Sequence, residues 1–305
     1  MSKYEGGKIS PGPHDEMGRC MLCLRSVWMK IGEMGINAHG MGSGPTCIAL
    51  PFASPHQDER EFDYAKGSGR GPEDWGNIHE EWAMCKKGDM QSPIDLLHER
   101  VELVSHLGRL KRNYKPSNAT LKNRGHDIML KWVNGGGSIF VNGTEYVLQQ
   151  CHWHSPSEHT INGESYDLEV HMVHQSSDNR TAVFGIMYKI GRPDNFLAEL
   201  MEHVQSIADN HEMEKAVGVV DPRHLKMGSR KYYRYLGSLT TPPCHEGVVW
   251  TVLKKVRTVS RDQMRTLRKA VDDHAEVNAR PTQPINRREI HLYTPRVRSV
   301  DDTQH

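Results

Sequence analysis

Three features are missing from this chain of 305 residues: a long apolar run, an excess of charge of one sign, and an internal repeat. No stretch approaches the roughly 18 uninterrupted apolar residues of a membrane-spanning helix, so we expect no transmembrane segment. Because 39 basic residues face 38 acidic ones, the net charge of +1 favours neither nucleic acid nor an anionic membrane as a partner. The lack of a fixed period argues against a repeat architecture.

A recognisable secretory leader is also missing from the first residues. No basic segment is followed by an apolar core of leader length, and the nearest apolar stretch, residues 47–53, is short and broken by Pro51. Residues 1–58 are rich in Gly, Met, Pro and His without a period of 2 or 3.6, which predicts a disordered N-terminal extension or a processed leader. Within them Cys20 and Cys23 form a Cys-x-x-Cys pair, whose alternatives are a metal knuckle and a redox pair; because no second ligand pair accompanies it, we interpret it as chance.

From Trp75 onward, short strand-like runs are separated by turn residues. The runs predict strands over residues 127–132, 138–141, 145–154, 166–175, 182–190 and 247–256. Strands and helices do not alternate regularly, which argues against a doubly wound parallel sheet. The pattern predicts a mainly β fold with peripheral helices (α+β), a single domain over residues 59–295 around a large, mostly antiparallel central sheet. A polar tail is expected over residues 296–305.

Two helical patterns interrupt the strands. Asp194 can cap the first, and the second begins near Ser260. The apolar residues that recur three or four apart are Phe196, Leu200, Val204 and Ile207 in the first pattern and Met264, Leu267 and Val271 in the second. This spacing predicts two helices that each present one apolar face.

Three histidines fall where two neighbouring strands would bring them together. Side chains alternate between the faces of a strand, so His152 and His154 point the same way. The dipeptide Asn162-Gly163 predicts a hairpin turn, and the returning strand carries His171. Three neutral imidazoles without a fourth protein ligand are what an open catalytic zinc site requires, whereas a structural site would close with four ligands.

The residues next to these histidines strengthen the zinc hypothesis. A ligating imidazole needs an acceptor for its other ring nitrogen, and Gln150 and Glu169 lie two residues from His152 and His171 on the same faces. The alternative is a polar strand face, because a chain with 19 histidines places some of them near one another by chance. The hairpin, the third histidine and the two acceptors together favour the metal site.

The sequence resembles the α-class carbonic anhydrases, most closely their plant members, over residues 62–295. The motifs that carry the resemblance are Gly71-Pro72-Glu73-Asp74-Trp75-Gly76, Gln91-Ser92-Pro93-Ile94-Asp95, the stretch 150–171 and Gly237-Ser238-Leu239-Thr240-Thr241-Pro242-Pro243-Cys244. The resemblance implies reversible hydration of carbon dioxide to bicarbonate and a proton by attack of a zinc-bound hydroxide. It implies Zn²⁺ as cofactor and carbon dioxide or bicarbonate as the small-molecule partner.

The resemblance also implies roles for individual residues. His152, His154 and His171 would be the zinc ligands, and Gln150, Glu169 and the backbone of Asn278 would hold them from behind. Thr240 would accept a hydrogen bond from the hydroxide and donate one to Glu158, which orients the nucleophile. His126 would be the proton shuttle, and Tyr64 a loosely matched active-site tyrosine. The residues implied to line the carbon dioxide pocket are Val173, Val183, Leu239, Thr241, Val248 and Trp250.

Cys85 and Cys244 lie where secreted members of the class carry a disulfide. The alternative is a pair of buried free thiols. A disulfide requires an oxidising compartment, and sequons at Asn118, Asn142 and Asn179 would be usable there. The expected location is therefore the secretory pathway or the extracellular space, or a plastid reached by that route. Cys151 points away from the ligand face and is expected in the core.

The sequence also departs from the family at a few positions. Arg124 stands where many members have Asn, two residues before His126, and Ala279 stands where animal members have Trp. Neither residue is a metal ligand in the family. The alternative function is that of a non-catalytic storage or binding protein with a carbonic anhydrase-like fold. The complete set of three histidines, Thr240 and Glu158 favours the enzyme.

Overall fold

A computed structural model of the chain describes residues 61–208, 210, 213–227, 231–271 and 277–295. The expectations for the N-terminal extension and for the polar tail, including Cys20 and Cys23, lie outside the described residues. No helix in these ranges is both long and apolar enough to cross a membrane. The structure therefore bears on the predicted β-rich domain.

Thirteen strands and a few helices make up the described part of the chain. The strands are β1 Val101–Leu103, β2 Lys111–Tyr114, β3 Ser117–Asn123, β4 Ile128–Trp132, β5 Gly137–Val141, β6 Thr144–His154, β7 Leu168–Gln175, β8 Thr181–Ile190, β9 Glu214–Val220, β10 Tyr232–Ser238, β11 Glu246–Leu253, β12 Arg257–Val259 and β13 Ile290–Tyr293. The α-helices are α1 Trp75–Ile78, α2 Met84–Lys87, α3 Asn195–Ser206 and α4 Arg261–Ala270, and 3₁₀ turns cover Glu80–Trp82, His98–Arg100 and Pro222–Leu225.

All described strands belong to one large mixed sheet. The main path runs β1-β13-β10-β11-β8-β7-β6-β4-β3-β9, while β5 pairs with β6, β2 with β5, and β12 with β8. Among the strand pairs of the described residues, only β1 with β13, β8 with β11, and β8 with β12 are parallel. The predicted fold class is therefore confirmed, and the six predicted strands correspond to β4, β5, β6, β7, β8 and β11.

The two predicted helices are α3 and α4, and each begins at the expected cap. The Asp194 carboxylate accepts hydrogen bonds from the first-turn amides of Phe196 and Leu197. Ser260 and Gln263 form a reciprocal capping box at the start of α4. The apolar faces of both helices pack into the larger core cluster of the sheet.

The predicted turn lies in the segment that connects β6 to β7, residues 155–167, where Ile161 pairs with Glu164. Asn162 and Gly163 both have positive φ, 52° and 77°, as a two-residue turn of mirror type requires. The register of the two strands places His152 directly opposite His171. Neighbouring side chains on the reverse face, such as Cys151, lie in the larger core, so the histidines are aimed at the other side of the sheet.

His174 is a further buried histidine on β7, and we expect it to make the folded chain less stable in acid. Its Nδ1 faces the carbonyl of Ala182 at 3.2 Å and its Nε2 faces the hydroxyl of Tyr114 at 2.8 Å, an arrangement that fits the neutral ring. Burial lowers the pKa of His174 to about 4. As the pH falls from about 6.5 to 4, His174 becomes protonated in the unfolded chain but stays neutral in the folded chain. The free energy of unfolding therefore decreases by about 3 kcal/mol.

Chemical denaturation across this pH range measures the effect. His174→Gln should reduce the acid-dependent decrease in unfolding free energy by about 3 kcal/mol relative to wild type. His106→Gln, at an exposed position, is the matched control. Equal pH slopes for wild type and His174→Gln would contradict the assignment.

Candidate metal centre

Three imidazoles converge on the open face of β6 and β7. The ring centroids of His152 and His154 are 5.0 Å apart, those of His152 and His171 5.4 Å, and those of His154 and His171 4.6 Å. One ring nitrogen of each lies within 4.8 Å of the other two, and all three side chains are buried. The structure thus brings together the three residues that the sequence pattern singled out.

The outward ring nitrogens of the three histidines are held by the acceptors named from the sequence. Nδ1 of His152 lies 2.9 Å from Oε1 of Gln150, and Nδ1 of His154 lies 2.7 Å from the carbonyl oxygen of Asn278. Nε2 of His171 lies 3.0 Å from Oε1 of Glu169, within ion-pair distance although outside hydrogen-bond angles. These contacts leave Nε2 of His152, Nε2 of His154 and Nδ1 of His171 for a shared cation.

The chemistry of these nitrogens fits a zinc ion. Burial lowers the pKa of all three imidazoles, most strongly at His152, so at neutral pH each offers a lone pair rather than a proton. Nε2 of His154 is buried and has no hydrogen-bond partner among the described residues, an arrangement that is costly unless a ligand satisfies it. Three nitrogen donors with no thiolate match an open zinc site.

Glu158 lies beside the ring nitrogens of His154 and His171 that have no acceptor of their own among the described residues. Its Oε2 is 3.6 Å from Nε2 of His154 and 3.7 Å from Nδ1 of His171, while its Oε1 accepts the amide of Arg280 at 2.9 Å. Burial raises the pKa of Glu158 to about 7, and the opposing effects of His171, the Arg280 amide and the Thr240 hydroxyl are smaller. The Thr240 hydroxyl therefore lies close enough to this carboxyl group to act on it.

A buried network behind Glu169 was not found from the sequence. Nδ1 of His159 lies 2.8 Å from Oε1 of Glu169, its Nε2 lies 2.7 Å from the Tyr235 hydroxyl, and that hydroxyl lies 2.9 Å from Oγ of Ser92. Burial would raise the pKa of Glu169, but His159 and His171 hold it well below the usual range. Glu169 is therefore an anion that supports the ring of His171. The only signal in the sequence was the position of His159 directly after Glu158.

Arg280 was also missed, although it is almost fully buried. Its guanidinium donates to Oε1 of Gln91, to the carbonyl of Ser92 and to the carbonyl of Cys85, at 2.8 to 2.9 Å. Its backbone amide donates a hydrogen bond to the Glu158 carboxyl group. Arg280 thus connects the segment around the disulfide with the carboxyl group beside the triad.

A cavity of about 200 Å³ opens over the triad. Its lining residues are Phe62, Arg124, His126, Gln150, His152, His171, Val173, Val183, Leu239, Thr240, Thr241, Pro242 and Trp250. Five of the six residues expected to line a carbon dioxide pocket are among them. The sixth, Val248, is buried in the core cluster that also contains Trp250, and it does not line the cavity.

His126 lies on the wall of this cavity, on the turn between β3 and β4. Its ring centroid is 4.8 Å from that of Phe62 and 5.9 Å from that of Tyr64. Its carbonyl accepts a hydrogen bond from Nδ2 of Asn278 at 2.7 Å. Asn278 therefore contacts His126 through its side-chain amide, and it contacts the triad histidine His154 through its backbone carbonyl.

Cys85 and Cys244 form a disulfide, as the resemblance implied. The bond joins α2 to the loop after β10 that carries Thr240, and it closes a chain segment with a sequence separation of 159. Cys151 is a free, buried cysteine in the larger core, as expected.

The large mixed sheet with three converging imidazoles on one face defines the class of protein. The sequence pattern of the eukaryotic-type carbonic anhydrases matches residues 70–294. The chain therefore belongs to the carbonic anhydrase family.

Individual relatives agree with this membership. The chain is 61% identical to alpha carbonic anhydrase 7 of Arabidopsis thaliana over 246 residues, which cover 80% of this chain and 90% of the relative. A crystal structure of dioscorin complexed with ascorbate matches at 45% identity and a TM-score of 0.76, covering 78% of this chain and all of that one. An α-carbonic anhydrase from Thermovibrio ammonificans, in complex with sulfanilamide, matches at 36% identity and a TM-score of 0.69, covering 75% and 98%.

Proposed function

We propose that this chain catalyses the reversible hydration of carbon dioxide to bicarbonate and a proton, with one zinc ion held by His152, His154 and His171. The observation that carries the proposal is the convergence of three neutral, buried imidazoles whose other ring nitrogens each face an acceptor. The function belongs to the domain over residues 59–295. Bound zinc would acidify a water molecule and so supply the nucleophile at neutral pH.

The residues around the triad supply orientation. Thr240 faces the carboxyl group of Glu158, so its hydroxyl proton is directed to that group and its oxygen is left to accept from the nucleophile. The apolar side chains of Val173, Val183 and Leu239 form the adjacent cavity wall, where a small nonpolar substrate gains more from dispersion than from polar contacts.

The proton released in the reaction must leave the cavity. His126 lies on its wall, and an imidazole can accept a proton on one ring nitrogen and release a proton from the other, so His126 can pass the proton to buffer. Attack and proton export are therefore assigned to different residues.

Metal analysis and stopped-flow hydration of carbon dioxide test the proposal on the full chain. We expect about one zinc per chain and hydration that is lost on chelation and restored by added zinc. Zinc-free protein that takes up no zinc would refute the enzyme. Full zinc loading without hydration would support a non-catalytic binding protein, an alternative kept open by the likeness to a dioscorin that binds ascorbate.

Thr240 allows a sharper test of the chemistry. Thr240→Ala should lower kcat/KM by roughly 100-fold while leaving zinc content unchanged, because the nucleophile loses its orienting acceptor. Thr240→Ser, which keeps the hydroxyl, is the matched control and should retain most of the rate. A normal rate in Thr240→Ala would contradict the assigned role.

The proposed location is the secretory pathway or the extracellular space. The disulfide between Cys85 and Cys244 requires an oxidising compartment to form and persist. The sequon asparagines Asn118, Asn142 and Asn179 are all exposed, so each can carry a glycan on the folded chain.

A further inference from the structure

The turn that carries His126 is tied together by a pair of residues to which the proposed reaction gives no role. β3 ends at Asn123 and β4 begins at Ile128, and the turn between them closes on a hydrogen bond of 2.9 Å from the amide of Arg124 to the carbonyl of Asp127. The guanidinium of Arg124 also donates two hydrogen bonds to the Asp127 carboxylate, from Nε to Oδ1 at 2.7 Å and from Nη2 to Oδ2. The two ends of the turn are therefore joined through both backbone and side chains.

The burial of this pair makes its geometry restrictive. The Asp127 side chain is fully buried and that of Arg124 is 15% exposed. Any other rotamer of Arg124 would leave a buried carboxylate without its counter-charge, which is far more costly than breaking an exposed ion pair. The bidentate contact also fixes the orientation of the guanidinium relative to the carboxylate. The pair consequently constrains the backbone on both sides of His126.

The His126 ring lies within this clamped turn and faces the cavity. Its Nε2 is 3.9 Å from Oδ2 of Asp127, and its ring packs on Phe62. Arg124 and His126 both line the cavity, together with the triad histidine His152. Arg124, the candidate proton carrier His126 and the triad histidine His152 thus lie on the same wall of the cavity.

We propose that the Arg124–Asp127 pair is a positioning device that holds the His126 ring over the cavity at a fixed distance from the triad. The inference rests on the proposed function, because it concerns the proton path of the same site. Proton transfer requires the carrier to be in reach, so its rate follows the fraction of time that the ring spends in place. Arg124 and Asp127 do not carry the proton; they act through His126.

The test removes both charges at once in the full-length chain, by Arg124→Asn combined with Asp127→Ser, so that no buried charge is left alone. We expect kcat in weak buffer to fall about tenfold while kcat/KM for carbon dioxide stays nearly constant, because the attack on carbon dioxide does not use His126. Added imidazole should restore kcat, as it should for His126→Ala. In the His126→Ala background, the double substitution should cause no further loss.

A matched control and a readout independent of turnover accompany the kinetics. Asp178 and Arg180 also form an Arg–Asp pair, but through the single contact from Nε to Oδ2 at 2.8 Å, at an exposed turn between β7 and β8. Asp178→Ser with Arg180→Asn should leave kcat unchanged. NMR resonances of the His126 imidazole should form one narrow set in wild type and a broadened or doubled set when Arg124 and Asp127 are replaced.

The outcomes separate the two proposals. Wild type without hydration refutes the proposed function, and the NMR measurement still decides whether the pair fixes the ring. An active wild type combined with an unchanged kcat and one narrow His126 resonance in the double variant refutes the positioning role alone. An equal loss of kcat and kcat/KM also refutes it, because that indicates damage to the metal centre. If the double variant does not fold, Arg124→Lys, which keeps the charge but not the bidentate contact, should show the same selective loss of kcat, and its absence overturns the role.

Discussion

His171→Gln should remove tight zinc binding and, with it, the hydration of carbon dioxide. The substitution replaces one of three imidazole nitrogens by an amide, a far weaker zinc ligand. Loss of an outer acceptor already weakens metal binding by about 10–100-fold, so loss of a direct ligand should cost roughly a thousandfold or more. The measurements are zinc content after dialysis and stopped-flow hydration at limiting zinc.

His174→Gln is the matched control for this experiment. His174 is a buried histidine on the same strand, three residues further along, and its ring contacts Tyr114 and Ala182 instead of the triad. This variant should keep about one zinc per chain and most of the hydration rate. Equal zinc loss in both variants would show that a buried histidine on β7 matters for folding only, and it would remove the basis for assigning His171 as a ligand.

Loss of the disulfide should produce the largest change in stability. Replacing Cys85 and Cys244 with serine should lower the free energy of unfolding by about 5 kcal/mol, because the bond closes a long segment and restricts the unfolded chain. Arg280 contacts both Cys85 and Gln91, and its amide donates a hydrogen bond to Glu158. The rate of carbon dioxide hydration should therefore also become more sensitive to temperature when the disulfide is lost. Denaturant unfolding measures the first effect and rate against temperature the second.

Reduction of the wild type supplies the control for this change. A reductant should lower the stability of wild type to that of the variant and should leave the variant itself unchanged, although Cys151 is present in both. A variant as stable as the oxidised wild type would show that the bond contributes little to folding.

The centre of the sheet and the triad were predictable because their signals are local. Alternation over β6, the Asn162-Gly163 turn and the return of β7 are all contained in one stretch of about 30 residues. Pairing between antiparallel neighbours then follows from strand geometry alone. His171 could therefore be placed beside His152 and His154 from the sequence, whereas the register that sets it opposite His152 could not.

The remaining strands and the deeper network could not be predicted in this way. The strand β9, Glu214–Val220, lies at the sheet edge with most of its side chains exposed, so it lacks the alternation that marks a half-buried strand. Arg280 and Gln91 are 189 positions apart, and the Tyr235 hydroxyl is 76 positions from His159. Contacts at such separations depend on the whole topology and leave no periodic trace in the sequence.

The central place of β6 and β7 in the sheet has a consequence for how the proposed zinc ion would be acquired. Both strands have paired neighbours on either side, and the imidazoles are aimed by strand register and by acceptors that belong to the fold itself. The positions of the nitrogen donors are thus set by strand pairing and by groups of the fold itself, so we expect zinc, bound as proposed, to load onto a chain that has already folded. Such a rigid set of nitrogens would also accept other divalent ions of the first transition series, so the choice among them falls to the supply of metals around the protein.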